Sequence, residues 1–341
     1  MSSMITELIA QIVEFRDLSR EQAASLMREI MEGRVTPSQT GALLTALRMK
    51  GETTEEITGF TETMRAYATK VPTSRQPLVD TCGTGGDRSF TFNISTTAAF
   101  VVAGAGVAVA KHGNRSASSH CGSADVLEAL GVWIEAPPEW VGHCIDEIGI
   151  GFLFARQLHG AMKHVAPTRM ELRFRTVFNL LGPLTNPAGA RRQVMGVFDK
   201  KWVEPLAHTF LNLGAEHVLV VAGSDGLDEI TLDGDTEVAE VFEREVRTYR
   251  LTPSALGFPK VPKRAVEGGN PQENARILRM VLEGHRSPHR DIVIINAAAG
   301  ILVGGAAADW REACTIAEKS IDSGAALDKL ERLIQVSHDF R

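Results

Sequence analysis

The stretch VDTCGTGGDRSFTFNIST, residues 79–96, sets a short apolar run against a cluster of glycines and then a helix start. Glycine loses more backbone entropy on folding than any other residue. Gly83, Gly85 and Gly86 together therefore predict a place where something approaches the main chain closely. In an α/β sheet, ligands sit at the carboxyl ends of strands, and this loop follows the LVD run directly. Its exposed amides can form a nest for an anion, while Asn93-Ile94-Ser95-Thr96 add caps and side-chain donors at the next helix start. A plain strand-to-helix turn would also use glycine, so the rest of the chain has to decide.

Working outward, short apolar runs (PLVDTC, GVAVAK, GVWIEA, IGFLFA, QVMGVF, HVLVVAG, DIVIINAAA) alternate with helical stretches such as SADVLEALG, EPLAHTFLNLG and NPQENARILRMVLEG. That alternation predicts an α/β fold: a large domain with a mostly parallel sheet flanked by helices on both faces. The segment KHVAPTRMELRFRTVFNLLGPLTNP, 163–187, breaks it, being helical and ending in a Gly/Pro/Asn-rich turn.

The N-terminal part is different. Ser19 with Gln22, Thr36-Pro37 with Gln39, and Thr53 with Glu56 are start signals for three amphipathic helices. Ala23, Leu26, Met27, Ile30 and Met31 share one face of the first, and Leu43, Leu44 and Leu47 face inward from the second. Ile57, Phe60, Met64 and Tyr67 do so from the third, which Val71-Pro72 closes. The expected division is a small all-α domain over residues 1–71, with a returning segment at about 166–190, and an α/β domain over 72–165 and 191–341.

With 341 residues, 44% apolar and 23% charged, the chain has ample core for a globular protein of about two domains. A net charge of −6 argues against a nucleic-acid surface as the main partner. Cys82, Cys121, Cys144 and Cys314 show neither CxxC spacing nor a disulfide framework, the usage of a reducing compartment. MSSMITELIAQIVEF has no signal-peptide pattern, and AAFVVAGAGVAVA is too short to span a membrane. A cytoplasmic protein without membrane partners is the expectation.

A second donor-rich stretch, KHGNRSASSHCGSAD at 111–125, follows the next strand. Lys111, His112, Asn114 and Arg115 supply cationic or donor groups, and Ser116, Ser118, Ser119 and Ser123 supply hydroxyls. Two such strand ends together suggest a ligand with two phosphate groups. In GSDGLDEITL, the adjacent carboxylates Asp228 and Glu229 follow the strand HVLVVAG. Alone they would read as a solvated turn; beside a polyphosphate they suit Mg²⁺, which prefers oxygen ligands.

GTGGD, FNIST, KHGNRS, GSADVLEALG, AMKHVAPTR, FNLLGPLTNP and GLDEIT, in that order along nearly the whole chain, make it resemble the anthranilate phosphoribosyltransferase family. The resemblance implies transfer of ribose 5-phosphate from phosphoribosyl pyrophosphate (PRPP) to anthranilate, with Mg²⁺, two ions per active site, and release of pyrophosphate. It also implies a homodimer associating through the helical domain. Matched by motif, Gly83, Gly86, Asp87, Thr91, Asn93, Ile94, Ser95, Thr96, Lys111, His112, Gly113, Asn114, Arg115, Ser116, Ala117, Ser118, Ser119 and Ser123 would surround PRPP. Ser95, Asp228 and Glu229 would serve the metal. Gly83, Asn114 and Arg169 would contact anthranilate, with His112 and His159 near its ring, and no side chain is assigned as an essential general base.

Several positions depart from the family pattern: Arg88 and Phe90 in the glycine loop, His120-Cys121 in the second loop, Arg156 and Gly160 around His159, and Met170 and Arg173 beside Arg169. They leave the PRPP motifs intact and bear on the acceptor side. Three other readings remain open: a phosphoribosyltransferase for another aromatic acceptor, a pyrimidine nucleoside phosphorylase-like enzyme, and a non-catalytic binding module of this fold, nucleic-acid-binding paralogues included.

Overall fold

A computed structural model describes residues 2–87, 89–116 and 120–339. Four helices come first: α1 (Ser2–Val13), α2 (Arg20–Met31), α3 (Pro37–Lys50) and α4 (Thr54–Tyr67). The sequence signals found three of them. In α2, α3 and α4 the capping side chains of Ser19, Thr36 and Thr53 each accept from the third-residue amide, and Gln22, Gln39 and Glu56 complete the boxes. The missed helix α1 is held by burial of Ile5, Leu8 and Ile12. Tyr67, expected to face inward, is exposed instead, its hydroxyl on the Glu32 carboxylate.

The remainder is a seven-stranded sheet with flanking helices. Its strands are β1 (Leu78–Asp80), β2 (Ala108–Gly113), β3 (Ile150–Phe154), β4 (Arg192–Gly196), β5 (His217–Gly223), β6 (Thr236–Phe242) and β7 (Glu245–Leu251), in the spatial order β3-β2-β1-β4-β5-β6-β7. The first five pair in parallel, and β6 and β7 add antiparallel strands at one edge. The helices that follow are α5 (Ile94–Gly104), α6 (Ser123–Ala129), α7 (Pro138–Ile148), α8 (Ala155–Leu158), α9 (Ala166–Leu172), α10 (Phe178–Leu181), α11 (Val203–Asn212), α12 (Pro271–Leu282), α13 (Pro288–Gly304), α14 (Trp310–Asp322) and α15 (Ala325–His338).

Strand periodicity divides the core. Val194, Leu219 and Val221 pack with α5, α13, α14 and α15 on one face, while Met195, Val218 and Val220 pack with α11 and the N-terminal helices on the other. Both faces are covered, which is why these strands read as unbroken apolar runs. The segment after residue 163 joins the second cluster through Val165, Val177, Phe178, Leu181 and Leu184, and Arg65 Nε donates to the Leu184 carbonyl at 2.8 Å.

Three readings of secondary structure need correction. DIVIINAAA is not a strand but the centre of α13, buried on nearly every side; a continuous apolar run has no period to separate a buried helix from a buried strand. GVWIEA, 131–136, is a turn that sinks Val132, Ile134 and Ala136, with the Trp133 amide donating to Ser337 Oγ at 3.1 Å. The hairpin β6–β7 was not foreseen. Its tight turn is made by Glu243 and Arg244, at φ 51° and 65°, where Asn or Gly would normally announce it.

Candidate active site

The glycine loop leaves β1 where the expected ligand end of the sheet lies. Gly85 and Gly86 have φ of 63° and 75°, so this turn demands glycine for its conformation, and open space surrounds Gly85. Gly83 is there for close approach: a Cβ on it would meet the Gly196 carbonyl at 2.9 Å. The Thr84 amide donates to that same carbonyl at 2.9 Å, and the Phe198 amide donates to Thr84 Oγ1 at 3.1 Å. Gly196, at the end of β4, carries a tighter constraint that sequence reasoning missed. A Cβ there would fall 1.5 Å from the Asp228 carbonyl oxygen. The glycine thus allows the acidic loop after β5 to lie against β4 and meet the glycine loop.

They do meet. The Gly85 amide donates to Asp228 Oδ2 at 2.7 Å, and the Asp228 amide donates to Asp87 Oδ2 at 3.4 Å. Burial and the neighbouring carboxylate Asp87 push Asp228 upward, and burial and Asp228 do the same to Glu229. Lys111 and the Ser95 hydroxyl pull Glu229 the other way. Lys111 itself is nearly fully buried, with Nζ donating to the Thr81 carbonyl at 3.0 Å and to Ser95 Oγ at 3.5 Å. Three carboxylates crowded around one ammonium leave an excess of negative charge, and the donors are oxygens. That is the chemistry of a Mg²⁺ site.

Asp80, Cys82 and His112 also place possible ligand atoms within 4.8 Å of one another. They do not make a metal site. Asp80 accepts from the His112 amide at 3.1 Å and from Asn186 Nδ2 at 2.7 Å. Burial pushes the Cys82 thiol up to about 12, so it stays protonated.

The second loop is a folded scaffold. Its backbone is stapled by Ser123, whose Oγ accepts from the Asn114 amide at 3.1 Å and donates to the Asn114 carbonyl at 3.2 Å. Asp125 clamps it by accepting from the Ser116 and Gly122 amides at 3.0 and 2.8 Å. The Arg115 guanidinium faces Asp125 and Glu128 at 3.0 and 2.8 Å. Gly113 would place a Cβ 2.2 Å from Ser123 Oγ. Asn93 ties the two loops to α12, donating to the Cys121 carbonyl at 3.2 Å while Asn274 Nδ2 donates to its Oδ1 at 2.9 Å. Ile94 and Thr96 are buried, and Thr91 bridges to Glu267. Arg88, Ala117, Ser118 and Ser119 lie outside the described residues.

On the acceptor side, His112 and His159 come together, Nε2 to Nε2, at 3.2 Å. Burial depresses both: His159 falls to about 4, and His112 well below the ordinary histidine range. Both rings are therefore neutral near pH 7. Arg169, on α9, lies over the Phe178 ring at 5.3 Å, and burial alone lowers it. Among the described residues no carboxylate forms an ion pair with Arg169. Arg173 is the left-handed C-cap of α9 at φ 55°, and Met170 is 71% exposed. The departing residues Phe90 and His120 pack on each other, ring centroids 5.0 Å apart.

Besides Gly196, sequence reading missed Asp125, Asn186, Asn274 and Arg175. Arg175 donates from Nη2 to the Gly86 carbonyl and stacks over Phe198 at 4.1 Å. A cavity of about 390 Å³ opens beside Phe198 at the carboxyl ends of β4 and β5, and it shares no residue with the expected ligand set.

Comparison with known proteins covers the chain in two blocks. Residues 6–68 match the glycosyl transferase family helical bundle domain, and residues 75–327 match the glycosyl transferase family a/b domain. The anthranilate phosphoribosyltransferase of Symbiobacterium thermophilum is 54% identical over 334 residues, 98% of each chain. The crystal structure of the anthranilate phosphoribosyltransferase from Thermus thermophilus superposes with a TM-score of 0.92 at 47% identity, covering 96% of this chain and 98% of that one. The Saccharomyces cerevisiae enzyme, in complex with PRPP and Mg, superposes at 0.90 with 28% identity over 99% and 98% of the two chains.

Proposed function

The chain belongs to the anthranilate phosphoribosyltransferase family, and on that premise we propose how its residues divide the work of the reaction. It transfers the phosphoribosyl group of PRPP to anthranilate, giving N-(5-phosphoribosyl)anthranilate and pyrophosphate, a step of tryptophan biosynthesis. The observation that carries the assignment of the site is the meeting of the glycine loop with Asp228 under the cover of Gly196.

In this reading PRPP lies across the two strand-end loops. Gly83, Gly86, Asp87, Thr91 and Asn93 to Thr96 approach it from the first loop, and Lys111 to Ser119 with Ser123 from the second. Lys111, fixed by Thr81 and Ser95, brings one buried positive charge to the phosphates. Ser123 and Asp125 hold the second loop's amides in place, and Arg115 orders that loop through its acidic partners. Ser95, Asp228 and Glu229 would hold Mg²⁺, two ions per site, with Asp87 adding negative charge. Mg²⁺ bound there would neutralise charge on the departing pyrophosphate.

Anthranilate is held by its carboxylate on Arg169, whose planar guanidinium suits a bidentate pair. The neutral His112–His159 pair, with Asn114 and Gly83, lines the ring. The bond from ribose C1 to pyrophosphate oxygen breaks, the arylamine nitrogen bonds C1, and one proton leaves that nitrogen. An aniline nitrogen attacks uncharged, so the chain supplies orientation, and no base removes a proton before attack.

The same reading divides the chain into a helical domain, 1–71 with the segment at about 166–190, and an α/β domain, 72–165 with 191–341. A homodimer through the helical domain would cover Val13, Phe15 and Met49, which are 58%, 65% and 70% exposed. The setting proposed is the cytoplasm; no helix among the described residues is long and apolar enough to cross a membrane.

Calorimetric titration of Mg²⁺ and PRPP into the chain tests the site. The double substitution Asp228→Asn with Glu229→Gln should abolish turnover and remove the Mg²⁺ dependence of PRPP binding. Near-normal turnover at ordinary Mg²⁺ would take both residues out of the metal role.

A further inference from the structure

The turn at Gly85-Gly86 needs something to hold it. Glycine populates positive and negative φ almost equally, and nothing stands within 4 Å of a Cβ on Gly85, so sterics do not fix that residue at 63°. Among the described residues, polar contacts hold the turn. The Thr84 amide is anchored on Gly196 at 2.9 Å, the Gly85 amide on Asp228 at 2.7 Å, and the Gly86 carbonyl accepts from Arg175. The Asp228 contact competes with any cation that takes that carboxylate. The Arg175 contact does not.

Arg175 is itself fixed. Its guanidinium lies over the Phe198 ring at 4.1 Å, and the Phe198 amide donates to Thr84 Oγ1 at 3.1 Å. A circuit therefore closes on the loop: Thr84 to Phe198, Phe198 to Arg175, Arg175 to Gly86. It joins three separate pieces of chain: the glycine loop, the segment between α9 and α10, and the loop after β4.

We propose that Arg175 is a positioning residue that keeps the glycine loop in its PRPP-binding form through the Gly86 carbonyl and the Phe198 ring. This rests on the reading that the loop holds PRPP. Arg175 touches neither substrate in this role. It removes conformations that the Gly-Gly turn would otherwise sample, so its loss is felt in PRPP affinity before it is felt in the acceptor site.

The test measures PRPP binding with Mg²⁺ by calorimetry, the anthranilate KM at saturating PRPP, and the thermal midpoint of the ligand-free chain. Arg175→Ala should weaken PRPP binding about tenfold or more, the scale of one charge-assisted hydrogen bond. The anthranilate KM and the midpoint should stay close to those of the unaltered chain. Arg175→Lys, which keeps a donor and loses the planar stack, should recover part of the affinity. Phe198→Leu should shift PRPP affinity in the same direction by less. Unchanged PRPP affinity in Arg175→Ala overturns the inference. So does a parallel loss of PRPP affinity, anthranilate KM and midpoint, which would mark a merely structural residue. If Arg175→Ala does not fold, Phe198→Leu decides: unchanged PRPP affinity refutes the role. Failure of the unaltered chain to bind PRPP would instead refute the reading of the loop.

Discussion

Gly196→Ala should disable the enzyme while leaving most of the fold in place. The added Cβ would lie 1.5 Å from the Asp228 carbonyl oxygen and 2.4 Å from its carbon. Ordinary contact begins at 3.4 Å, so one backbone must give by about 2 Å (3.4 − 1.5). The strand is the stiffer partner: β4 is paired on both sides, to β1 and to β5, and the Gly196 carbonyl also takes the Thr84 amide. The loop carrying Asp228 and Glu229 therefore moves, and the 2.7 Å bond from the Gly85 amide is lost. A misplacement of about 1 Å at a reacting centre costs on the order of a hundredfold, so kcat/KM should fall at least that far. Loss of anthranilate fluorescence at saturating Mg²⁺ reads the rate, and circular dichroism checks the fold. Gly182→Ala, at a helical glycine with nothing within 4 Å, is the control and should remain active. A Gly196→Ala chain with kcat/KM within threefold of the unaltered protein would refute the claim that this approach positions the carboxylates.

Arg169→Ala should raise the anthranilate KM about ten- to a hundredfold, the loss of a charge-assisted pair worth roughly 1.5 to 3 kcal/mol, with PRPP binding little changed. Arg173→Ala should be nearly silent in steady-state kinetics, since Arg173 serves as the C-cap of α9; the reverse pattern would mean the acceptor site is misaligned. The His112–His159 pair predicts an acid-side loss of stability. Burial lowers His159 to about 4, whereas the unfolded chain binds the proton near 6.5. Stability is therefore present above about 6.5 and falls as pH drops toward about 4, by on the order of 3 kcal/mol for this group. Urea midpoints at pH 7.5 and 5 measure it, and His159→Gln should flatten the difference; an unchanged slope would refute burial of the neutral ring as its source.

What could be read from the sequence depended on whether a residue's job was local. Gly85 and Gly86 announce a left-handed turn by their own chemistry, and Ser19, Thr36 and Thr53 cap the helices they precede, so these were legible. Gly196 looks like any strand residue in QVMGVF, because the atom it must avoid belongs to Asp228 in another loop. Asp125 sits inside the quoted motif GSADVLEALG, yet its role of clamping the Ser116 and Gly122 amides appears only once the loop is folded back. Arg175 and Asn186 act on Gly86 and Asp80, distant in sequence. The β6–β7 hairpin escaped because Glu243 and Arg244 adopt positive φ without the usual Asn or Gly, and β7 turns mostly polar, exposed residues to solvent. Arg115 faces Asp125 and Glu128, partners that come within reach only once the loop folds back.

The central claim is tested most directly by supplying the purified chain with PRPP, Mg²⁺ and a panel of aromatic amines and acids. The account predicts that anthranilate fluorescence disappears with one pyrophosphate released per anthranilate consumed. It also predicts that a metal chelator stops the reaction and that acceptors without the carboxylate that Arg169 would hold turn over far more slowly. Equal or faster turnover of an acceptor lacking that carboxylate, or anthranilate consumption that persists in chelator, would contradict it.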